Sequence, residues 1–464
     1  MYNNSVSFDK ELITRYSQSG PRYTSYPTAL QFHEEFNEVA YAKIARESNE
    51  DLVPVPLSLY FHLPFCRRVC FYCACSKIIT NNQAHSTRYL GYLYKEINMQ
   101  GKLFDRDRRV DQLHWGGGTP TYIGHEQMCK LMKVIRENFT LREDDCGDYS
   151  IEVDPRETGT GTVKLLREIG FNRISLGVQD FNPDVQKAVN RVQSYEETAR
   201  IVEQAREHGF NSINIDMIYG LPKQTMETSR ETLKQLVELN PDRIAVYNYA
   251  HLPHIFKTQR QINENELPDP ETKLDILQLV IDDLTRHGYV YIGMDHFAKS
   301  DDELTVAQKT GLLHRNFQGY STHANCDLIG MGVTAISCIN GCYAQNARDI
   351  NEYERLIEQN RLPVTRGKML DNDDELRRDV ITKLICHFKI DFSFYEDSYG
   401  IRFHRYFHDE LSRLASMQKD GLLTLDDEGI HVTRKGRLLI RNICMVFDKY
   451  LTSENLKNRY SKVI

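Results

Sequence analysis

The stretch YFHLPFCRRVCFYCAC at residues 60–75 contains a CxxxCxxC arrangement formed by Cys66, Cys70 and Cys73. These cysteines come just after the run LSLYFH at 57–62, whose length and composition are typical of a β-strand. Three thiolates separated by four and three residues can bind one side of a small soft-metal centre from a single loop, as cysteines do in iron–sulfur proteins. The segment therefore predicts a four-iron cluster with three protein ligands and one open iron.

The cysteines outside this motif leave two points open. Cys75 lies two residues after Cys73, and from its spacing alone it is either a fourth ligand that closes the cluster or a separate thiol. A structural zinc site usually needs a second CxxC or Cys/His element to complete a tetrahedron. The remaining seven cysteines are scattered, with Cys338 and Cys342 the nearest to a pair, and we interpret all seven as buried, inert thiols.

A repeated order of strand, polar loop and helix extends from about residue 57 to residue 250. Helical patterns end at Gly170 and Gly209, and a glycine just past a periodic segment is a common signal for the end of a helix. Strands that alternate with helices indicate an α/β fold with a parallel sheet, either a partial (β/α)6 barrel or an open doubly wound sheet. The candidate strands are 57–62, 112–115, 150–153, 173–177, 213–216 and 243–248.

Polar or unusual residues lie at the end of every one of these candidate strands. In α/β folds the carboxyl ends of parallel strands form the active face. We therefore expect these residues to form one large site. They are the cysteines after the first strand, GGGT at 116–119 after the second, Glu152, Gln179, Asp216 and Asn248.

The chain beyond residue 250 is less regular. Residues 269–288 predict a helix with Asp269 as its N-cap and Gly288 at its end, and 289–298 predict one more strand. From about residue 371, two helices, a hairpin near Gly429 and a last helix resemble a winged-helix arrangement. The last 40 residues mix basic with acidic side chains, so we interpret this small, mostly helical unit as a cap or interaction domain that does not bind DNA.

The length of 464 residues allows two or three domains. We place an N-terminal extension that contributes to the active site at 1–50 and the partial barrel with its extensions at 51–365. The C-terminal domain then occupies 366–464.

Composition restricts the class of protein. The chain has 58 Lys and Arg against 65 Asp and Glu, a net charge of −7, and no polybasic tract, so no nucleic-acid partner is expected. No apolar run approaches the roughly 20 residues needed to span a membrane, and the N-terminus lacks the features of a secretory signal. We therefore expect a cytoplasmic protein, in which crowded cysteines indicate metal binding or catalysis more often than disulfides.

CxxxCxxC after the first strand, together with GGGTPT at 116–121, resembles the radical S-adenosylmethionine (SAM) enzymes. The resemblance implies a [4Fe-4S] cluster whose open iron chelates the methionine part of SAM. One electron from the cluster then cleaves the sulfonium to give a 5′-deoxyadenosyl radical. Glycines at 116–118 suit this function, because they allow main-chain groups to approach a ligand closely.

Within these enzymes the chain is most similar to the oxygen-independent coproporphyrinogen III oxidase family, over nearly its whole length. Segments that carry the resemblance include PRYTSYPT (21–28), IEVDPRE (151–157), NIDMIYGLPKQT (214–225) and HRNFQGY (314–320). The resemblance implies oxidative decarboxylation of two propionate side chains of coproporphyrinogen III to vinyl groups. It also implies an unidentified one-electron donor or acceptor of the flavodoxin or ferredoxin type, and a monomer.

The resemblance further implies two SAM molecules and assigns residues to them. The first molecule, on the cluster, would contact Tyr60, Gly117, Glu152 and Ile336, and the second Tyr72, Gly118, Thr119, Gln179, Arg191, Asp216 and Ala250. The carboxylates can accept hydrogen bonds from ammonium or hydroxyl groups, and Arg191 can bind a carboxylate with two hydrogen bonds. On sequence alone, without the resemblance, Ile336 and Ala250 would be interpreted as plain core residues.

Two further residues are candidates for catalysis. Arg22, in PRYTSYPT, could bind a substrate propionate or could be an ordinary surface residue in a turn, and Cys75 could act as a free thiol beside the cluster. The nearest alternative function is a related haem-carrying chaperone. By resemblance, that group has an aromatic residue in place of Cys75, lacks PRYTSYPT and carries a different motif at 314–320, so all three features favour the oxidase.

Overall fold

A computed structural model describes residues 6–323, 325–451 and 460–462. Its strands are β1 (Leu57–Leu63), β2 (Phe65–Cys66), β3 (Ile78–Ile79), β4 (Arg109–Gly117), β5 (Thr140–Leu141), β6 (Asp148–Val153), β7 (Arg173–Gln179), β8 (Ser212–Tyr219), β9 (Arg243–Asn248), β10 (Tyr289–Gly293), β11 (His296–Lys299), β12 (His314–Asn316), β13 (Gly319–Ser321), β14 (Asp327–Met331), β15 (Ile336–Ile339), β16 (Cys342–Asn346), β17 (Val364–Met369), β18 (Lys389–Asp391), β19 (Leu423–Leu425) and β20 (Gly429–Val432). Its helices are α1 (Lys10–Arg15), α2 (Glu38–Glu47), α3 (Gln83–Gly101), α4 (His125–Asn138), α5 (Thr162–Glu168), α6 (Pro183–Ala188), α7 (Tyr195–Glu207), α8 (Met226–Leu239), α9 (Pro270–Arg286), α10 (Glu303–Thr310), α11 (Ile350–Glu358), α12 (Asn372–His387), α13 (Phe392–Tyr399), α14 (Phe403–Tyr406), α15 (His408–Lys419) and α16 (Ile440–Met445).

The six predicted strands form the centre of the main sheet. β1, β4, β6, β7, β8 and β9 are neighbours in chain order and all run parallel. The described strands do not close into a ring, because the sheet begins at β10 and ends at β17. The α/β fold with a partial (β/α)6 barrel is confirmed.

Alternating burial along β6, β7 and β8 separates an apolar side of the sheet from a polar one. On β6, Ile151 and Val153 are buried in the core, whereas the intervening Ser150 and Glu152 are only partly buried. Side chains on a strand alternate between its two faces, so one face packs in the core and the other turns polar groups towards the barrel interior. This alternation places Glu152 and Asp216 in the interior at the carboxyl edge.

Helix α9 confirms the prediction for 269–288. The Asp269 carboxylate accepts hydrogen bonds from the backbone N–H groups of Glu271 and Thr272, at 2.9 and 3.0 Å, and Gly288 ends the helix with φ +88°. The single strand predicted at 289–298 is wrong. The chain turns back at Met294, with φ +55°, so that β10 and β11 form an antiparallel hairpin beside β9.

On the other edge, the sheet continues through strands that the sequence pattern did not reveal. β14 runs parallel to β1, and β15, β16 and β17 follow in antiparallel order. The boundary predicted at 365 falls inside β17, which pairs with β16, so this boundary is corrected to a point after Met369. A strand is stabilised by hydrogen bonds to a neighbouring strand, so the pairing with β16 makes β17 part of the barrel sheet.

The C-terminal unit combines α12 to α16 with a small sheet in the order β18, β20, β19. The N-terminal segment contacts both units: Arg441 donates a 2.9 Å hydrogen bond to the Pro21 carbonyl, and His33 bridges to Gly367 of β17. Residues 1–5 of the predicted extension, and 452–459 and 463–464 of the predicted C-terminal domain, lie outside the described residues. None of the helices in the described ranges has the length and apolar character needed to cross a membrane.

Candidate active site

A cavity of about 660 Å³ opens at the carboxyl edge of the parallel strands. Its wall brings together fourteen of the sixteen residues predicted for the site. They are Arg22, Cys66, Cys70, Tyr72, Cys73, Cys75, Gly117, Gly118, Thr119, Glu152, Gln179, Arg191, Asp216 and Ala250.

The cysteine loop, residues 65–79, is closed at its base by the two-residue parallel pairing of β2 with β3. The Thr80 N–H donates to the Cys66 carbonyl at 3.0 Å, and within the loop the Cys73 N–H donates to the Cys70 carbonyl at 3.2 Å. A segment after β9 holds the loop from the other side. Buried Gln259 donates to the carbonyls of Tyr72 and Ala250 at 3.1 and 3.2 Å.

The thiols have distinct surroundings. Burial raises the pKa of the Cys66 thiol to about 11, and Thr119 donates to its sulfur at 3.5 Å. The Cys75 thiol donates a hydrogen bond to Cys73, which lowers the pKa of Cys73 and raises that of Cys75. Lys77 donates to the Cys73 carbonyl at 2.9 Å, so a positive charge lies beside the loop.

The glycine-rich loop fits closely against the cysteine loop. The Gly118 N–H donates to the Leu63 carbonyl at 2.9 Å, and Gly117 has φ +114°. A Cβ atom on Gly117 would lie 2.6 Å from the His62 ring. Both nitrogens of that ring are engaged, with the Tyr60 hydroxyl at 3.0 Å and the Ser76 carbonyl at 3.1 Å. His62 therefore fills the space next to Gly117 as a packed, hydrogen-bonded residue.

The substitution Gly117→Ala is expected to destabilise the protein well beyond the cost of its backbone conformation. Gly209→Ala is the matched control, because Gly209 also has a positive φ, +75°, but an added Cβ there would meet nothing within 4 Å. Overpacking a well-packed site costs about 1–3 kcal/mol, so G117A should lose that much more stability than G209A in denaturant unfolding. Equal losses in the two variants would contradict the predicted crowding at His62.

Glu152 and Asp216 are two neighbouring carboxylates with different proton affinities. Burial favours the neutral form of Glu152, but hydrogen bonds from His114 at 3.4 Å and from the Gly117 N–H at 3.0 Å outweigh it and lower the pKa. Burial and the nearby charge of Glu152 raise the pKa of Asp216 to about 6, although Asn214 donates to it at 2.8 Å. At neutral pH, Glu152 is a permanent hydrogen-bond acceptor in the cavity, and Asp216 is close to its titration point.

A buried group of charges, which we call the Asp154 triad, consists of Asp154, Arg156 and Arg191. Arg156 Nη2 and Arg191 Nη1 donate to Asp154 Oδ2 at 2.7 and 3.0 Å. These two cations outweigh the effect of burial and lower the pKa of Asp154 to about 2. Both guanidinium groups also reach the Cys70 sulfur, at 3.6 and 3.5 Å. Sequence reasoning missed Asp154 and Arg156, although their position directly after a strand end was a usable signal.

The remaining predicted residues lie in and behind the cavity wall. Tyr60 is outside the wall, where its ring stacks on His114 with the centroids 5.8 Å apart. Ile336 is also outside the wall and packs on β15 with Phe32 and Tyr343. Gln179 lines the cavity with φ +76°, a strained conformation for a residue other than glycine.

Arg22 reaches the cavity from the N-terminal segment. Its guanidinium lies 3.3 Å from Asp295 and donates to the Asn248 carbonyl at 3.4 Å, and 36% of its side chain is exposed. Cys75 is exposed on the same cavity wall. Both candidate catalytic side chains can therefore be reached from the cavity.

Comparisons with known proteins agree with this geometry. Residues 60–236 match the Radical SAM superfamily, and residues 370–439 match the HemN C-terminal domain. The chain is 52% identical over 459 residues to the oxygen-independent coproporphyrinogen III oxidase of Escherichia coli strain K12, covering 99% of each chain. The chain belongs to the oxygen-independent coproporphyrinogen III oxidase family. The resemblance of its motifs to that family is confirmed.

Other members of the coproporphyrinogen III oxidase family support the same assignment. The Pseudomonas aeruginosa member is 50% identical over 461 residues, covering 99% of this chain and 100% of its own. A solved structure of coproporphyrinogen III oxidase (HemN) from Escherichia coli, described as a radical SAM enzyme, matches with a TM-score of 0.91 at 51% identity. That match covers 96% of this chain and 100% of the other.

Family membership implies a [4Fe-4S] cluster and SAM, and the cysteine loop fits such a cluster. Cys66, Cys70 and Cys73 line one cavity from a single loop, which is the way thiolates hold an iron–sulfur cluster. The guanidinium groups of Arg156 and Arg191 beside the Cys70 sulfur can offset the negative charge of such ligands.

Proposed function

We propose that the chain catalyses the oxygen-independent oxidative decarboxylation of two propionate side chains of coproporphyrinogen III to vinyl groups, which yields protoporphyrinogen IX in haem biosynthesis. The observation that carries the proposal is that the CxxxCxxC loop and the glycine-rich loop converge on one cavity of about 660 Å³. Similarity over the full length to named oxidases supports the substrate.

Cys66, Cys70 and Cys73 would hold the cluster, and two SAM molecules would bind beside it. When bound, these cofactors supply an electron and a carbon-centred radical that can remove a hydrogen atom from a propionate chain. Glu152, ionised and held by His114, would accept hydrogen bonds from one SAM, together with Tyr60, Gly117 and Ile336. The positions proposed for the second SAM are Tyr72, Gly118, Thr119, Gln179, Arg191, Asp216 and Ala250.

The protein would also orient and shield the reacting groups. The Asp154 triad places two cations against the Cys70 sulfur, where they offset the negative charge of thiolate ligands. Buried aromatic and aliphatic residues behind the glycine-rich loop, such as Phe65 and Tyr122, exclude water from that side of the cavity. The cavity therefore combines a fixed ligand set with a buried aromatic wall behind the glycine-rich loop.

Arg22→Ala is expected to raise the KM for coproporphyrinogen III about tenfold, because a hydrogen bond to a charged group is worth about 1.5 kcal/mol or more. Arg22 is our candidate for binding a substrate propionate, since its half-exposed guanidinium lines the cavity. Arg15→Ala is the control, because Arg15 belongs to the same N-terminal segment and pairs with Asp420 at 2.9 Å. An unchanged KM in R22A would contradict the assignment.

Cys75→Ser is expected to keep the cluster and lose activity by about a hundredfold or more, as when a proton-transfer group is removed. Cys75 lines the cavity as an exposed thiol, and the CxxxCxxC motif already supplies three ligands. Iron content and turnover should be measured on the same preparation, with Cys146→Ser as an exposed-thiol control. Loss of iron in C75S would identify Cys75 as a cluster ligand instead.

We further propose a cytoplasmic monomer that works without nucleic-acid or membrane partners. Eleven free thiols suit a reducing compartment, and the net charge of −7 without a polybasic tract does not favour nucleic acid. The electron donor or acceptor would be a flavodoxin- or ferredoxin-like protein. Two basic residues of the cysteine loop, Arg68 and Lys77, are complementary to an acidic carrier of that type.

One experiment tests the proposed reaction directly. The purified chain is reconstituted with iron and sulfide without oxygen, then given coproporphyrinogen III, SAM and a reductant. Release of 5′-deoxyadenosine together with protoporphyrinogen IX is expected. Stable haem binding with no turnover would instead favour the related haem-carrying chaperone. SAM bound per chain in the same preparation tests the proposed stoichiometry of two.

A further inference from the structure

A second cluster of metal-ligating side chains lies at the opposite edge of the sheet from the active site. Asp111, His323 and Cys326 place one ligand atom each within 4.8 Å of the others. Asp111 lies near the start of β4, and Cys326 directly precedes β14, so the cluster sits at the amino ends of parallel strands. None of these residues belongs to the cavity that holds the cysteine loop.

Among the described residues, no side chain or backbone group bonds to the ligand atoms of His323 and Cys326. Within the described ranges, the only hydrogen bond of His323 is the one its backbone N–H donates to the Ser321 hydroxyl at 2.9 Å. Neither its ring nor the half-buried Cys326 thiol has a hydrogen-bond partner among the described residues. All three residues of the cluster are only partly buried, so an ion can reach their ligand atoms from solvent.

Asp111 is already oriented for binding. Arg142 donates to Asp111 Oδ1 at 3.2 Å and is itself held by Asp144 at 2.7 and 3.0 Å. Carboxylates that bind metals are commonly fixed by such an outer hydrogen bond. The arrangement therefore resembles a metal ligand with its supporting partner already in place.

The donor set selects the class of ion. One imidazole nitrogen, one thiol sulfur and one carboxylate oxygen are a combination that zinc accepts, at metal–ligand distances of about 2.0–2.3 Å. Calcium and magnesium prefer oxygen ligands only. Burial raises the pKa of the Cys326 thiol to about 12, so the free thiol is neutral at pH 7. Binding would replace the thiol proton with the ion and release that proton to solvent.

We propose that Asp111, His323 and Cys326 bind one Zn²⁺, with water as the fourth ligand. The ion would connect the segment before β14 to β4. The same segment continues from β13, whose Tyr320 and Ser321 line a polar cavity of about 170 Å³ that also contains Glu152 and Asp216. Zinc would therefore stabilise the wall beneath the active site without taking part in the reaction.

The test uses the full chain with its iron–sulfur cluster assembled, so that Cys66, Cys70 and Cys73 hold iron. The holoprotein is incubated with one equivalent of zinc, desalted and analysed for zinc and iron. One zinc per chain is expected, together with a higher Tm. Both should be lost in Cys326→Ser and in His323→Ala, and kept in the control Cys129→Ser, which removes an exposed thiol elsewhere.

Unchanged iron content and turnover in the C326S and H323A variants would verify that they fold. Zinc that is absent from the wild-type holoprotein after desalting overturns the proposal. Zinc that is retained equally by C326S and H323A also overturns it, because the ion would then be bound elsewhere. Cobalt substitution adds a direct readout, since a thiolate–cobalt charge-transfer band should appear in the wild type and be missing in C326S.

Discussion

Changing Cys66, Cys70 or Cys73 singly to Ser is expected to abolish both cluster assembly and turnover. A four-iron cluster with one open iron has only three protein ligands, so the loss of one leaves two iron sites without a protein sulfur. Cys66 also lies on β2, and the pairing of β2 with β3 fixes its place at the base of the loop. Iron and sulfide analysis, the visible absorption of the reconstituted protein and 5′-deoxyadenosine release measure the effect.

Cys129→Ser supplies the matched control for these three variants. Cys129 is exposed on α4, away from the cavity, and should retain full iron content and activity. A single-cysteine variant of the motif that assembled a full cluster and turned over substrate would refute the assignment of the three ligands. Each variant differs from the wild type by one sulfur atom only. Circular dichroism of each variant shows whether the chain is folded, so that loss of the cluster can be distinguished from a general loss of stability.

Asp154→Asn is expected to cost about 3–5 kcal/mol of folding stability, which is the typical loss when one partner of a buried ion pair is removed. Among the described residues, Asp154 is the only carboxylate that pairs with Arg156 and Arg191, and all three side chains are less than 10% exposed. Removing its charge leaves two buried cations beside the Cys70 sulfur. Denaturant unfolding of the iron-free protein measures the loss without interference from the cluster.

Asp144→Asn is the control for this variant. Asp144 also pairs with an arginine, Arg142, at 2.7 Å, but half of its side chain is exposed. Exposed pairs contribute about 0–1 kcal/mol, so D144N should change stability little. Similar losses in D154N and D144N would show that burial of the Asp154 triad does not have the energetic effect assigned to it.

The Asp154 carboxylate should also make the free energy of unfolding depend on pH. The pKa of Asp154 is lowered in the folded protein to about 2 from an ordinary value of 3.8. Its contribution is therefore fully present above about pH 4 and is lost as the pH falls through about 2, with an amplitude of about 2 kcal/mol. Stability measured between pH 5 and pH 3 should begin to show this loss in the wild type, and D154N should lack it.

The central part of the fold was predictable because its signals are local. Each parallel strand is a short apolar or alternating run, and glycines end two of the helices between them, at Gly170 after α5 and Gly209 after α7. All six strands were found within a few residues of their bounds. The extension from β14 to β17 and the β10–β11 hairpin were not. Their strands are short, and their place in the sheet depends on pairing with residues far away in the chain.

The residues of the site divide in the same way, into those with a local signal in the sequence and those that depend on tertiary packing. Strand-end residues and motif spacing located the cysteines, Glu152 and Asp216, because topology alone brings strand ends together. The pairing of Arg22 with Asp295 and the partners of Arg191 were missed, since both depend on side chains brought close by tertiary packing. In the sequence, Asp154 looks like an ordinary N-cap of a helical turn that starts at Pro155. It also has that local function, because its carboxylate accepts a hydrogen bond from the Arg156 N–H.

The cysteine loop is fastened by protein groups alone, through the β2–β3 pairing at its base and the Gln259 amide on its far side. These contacts do not pass through the inorganic centre that family membership implies, so they can hold the loop when that centre is absent. If oxygen destroyed that centre, the three sulfurs would stay near their working positions. The cluster could then be reassembled from iron and sulfide on the same polypeptide after damage, without synthesis of a new chain.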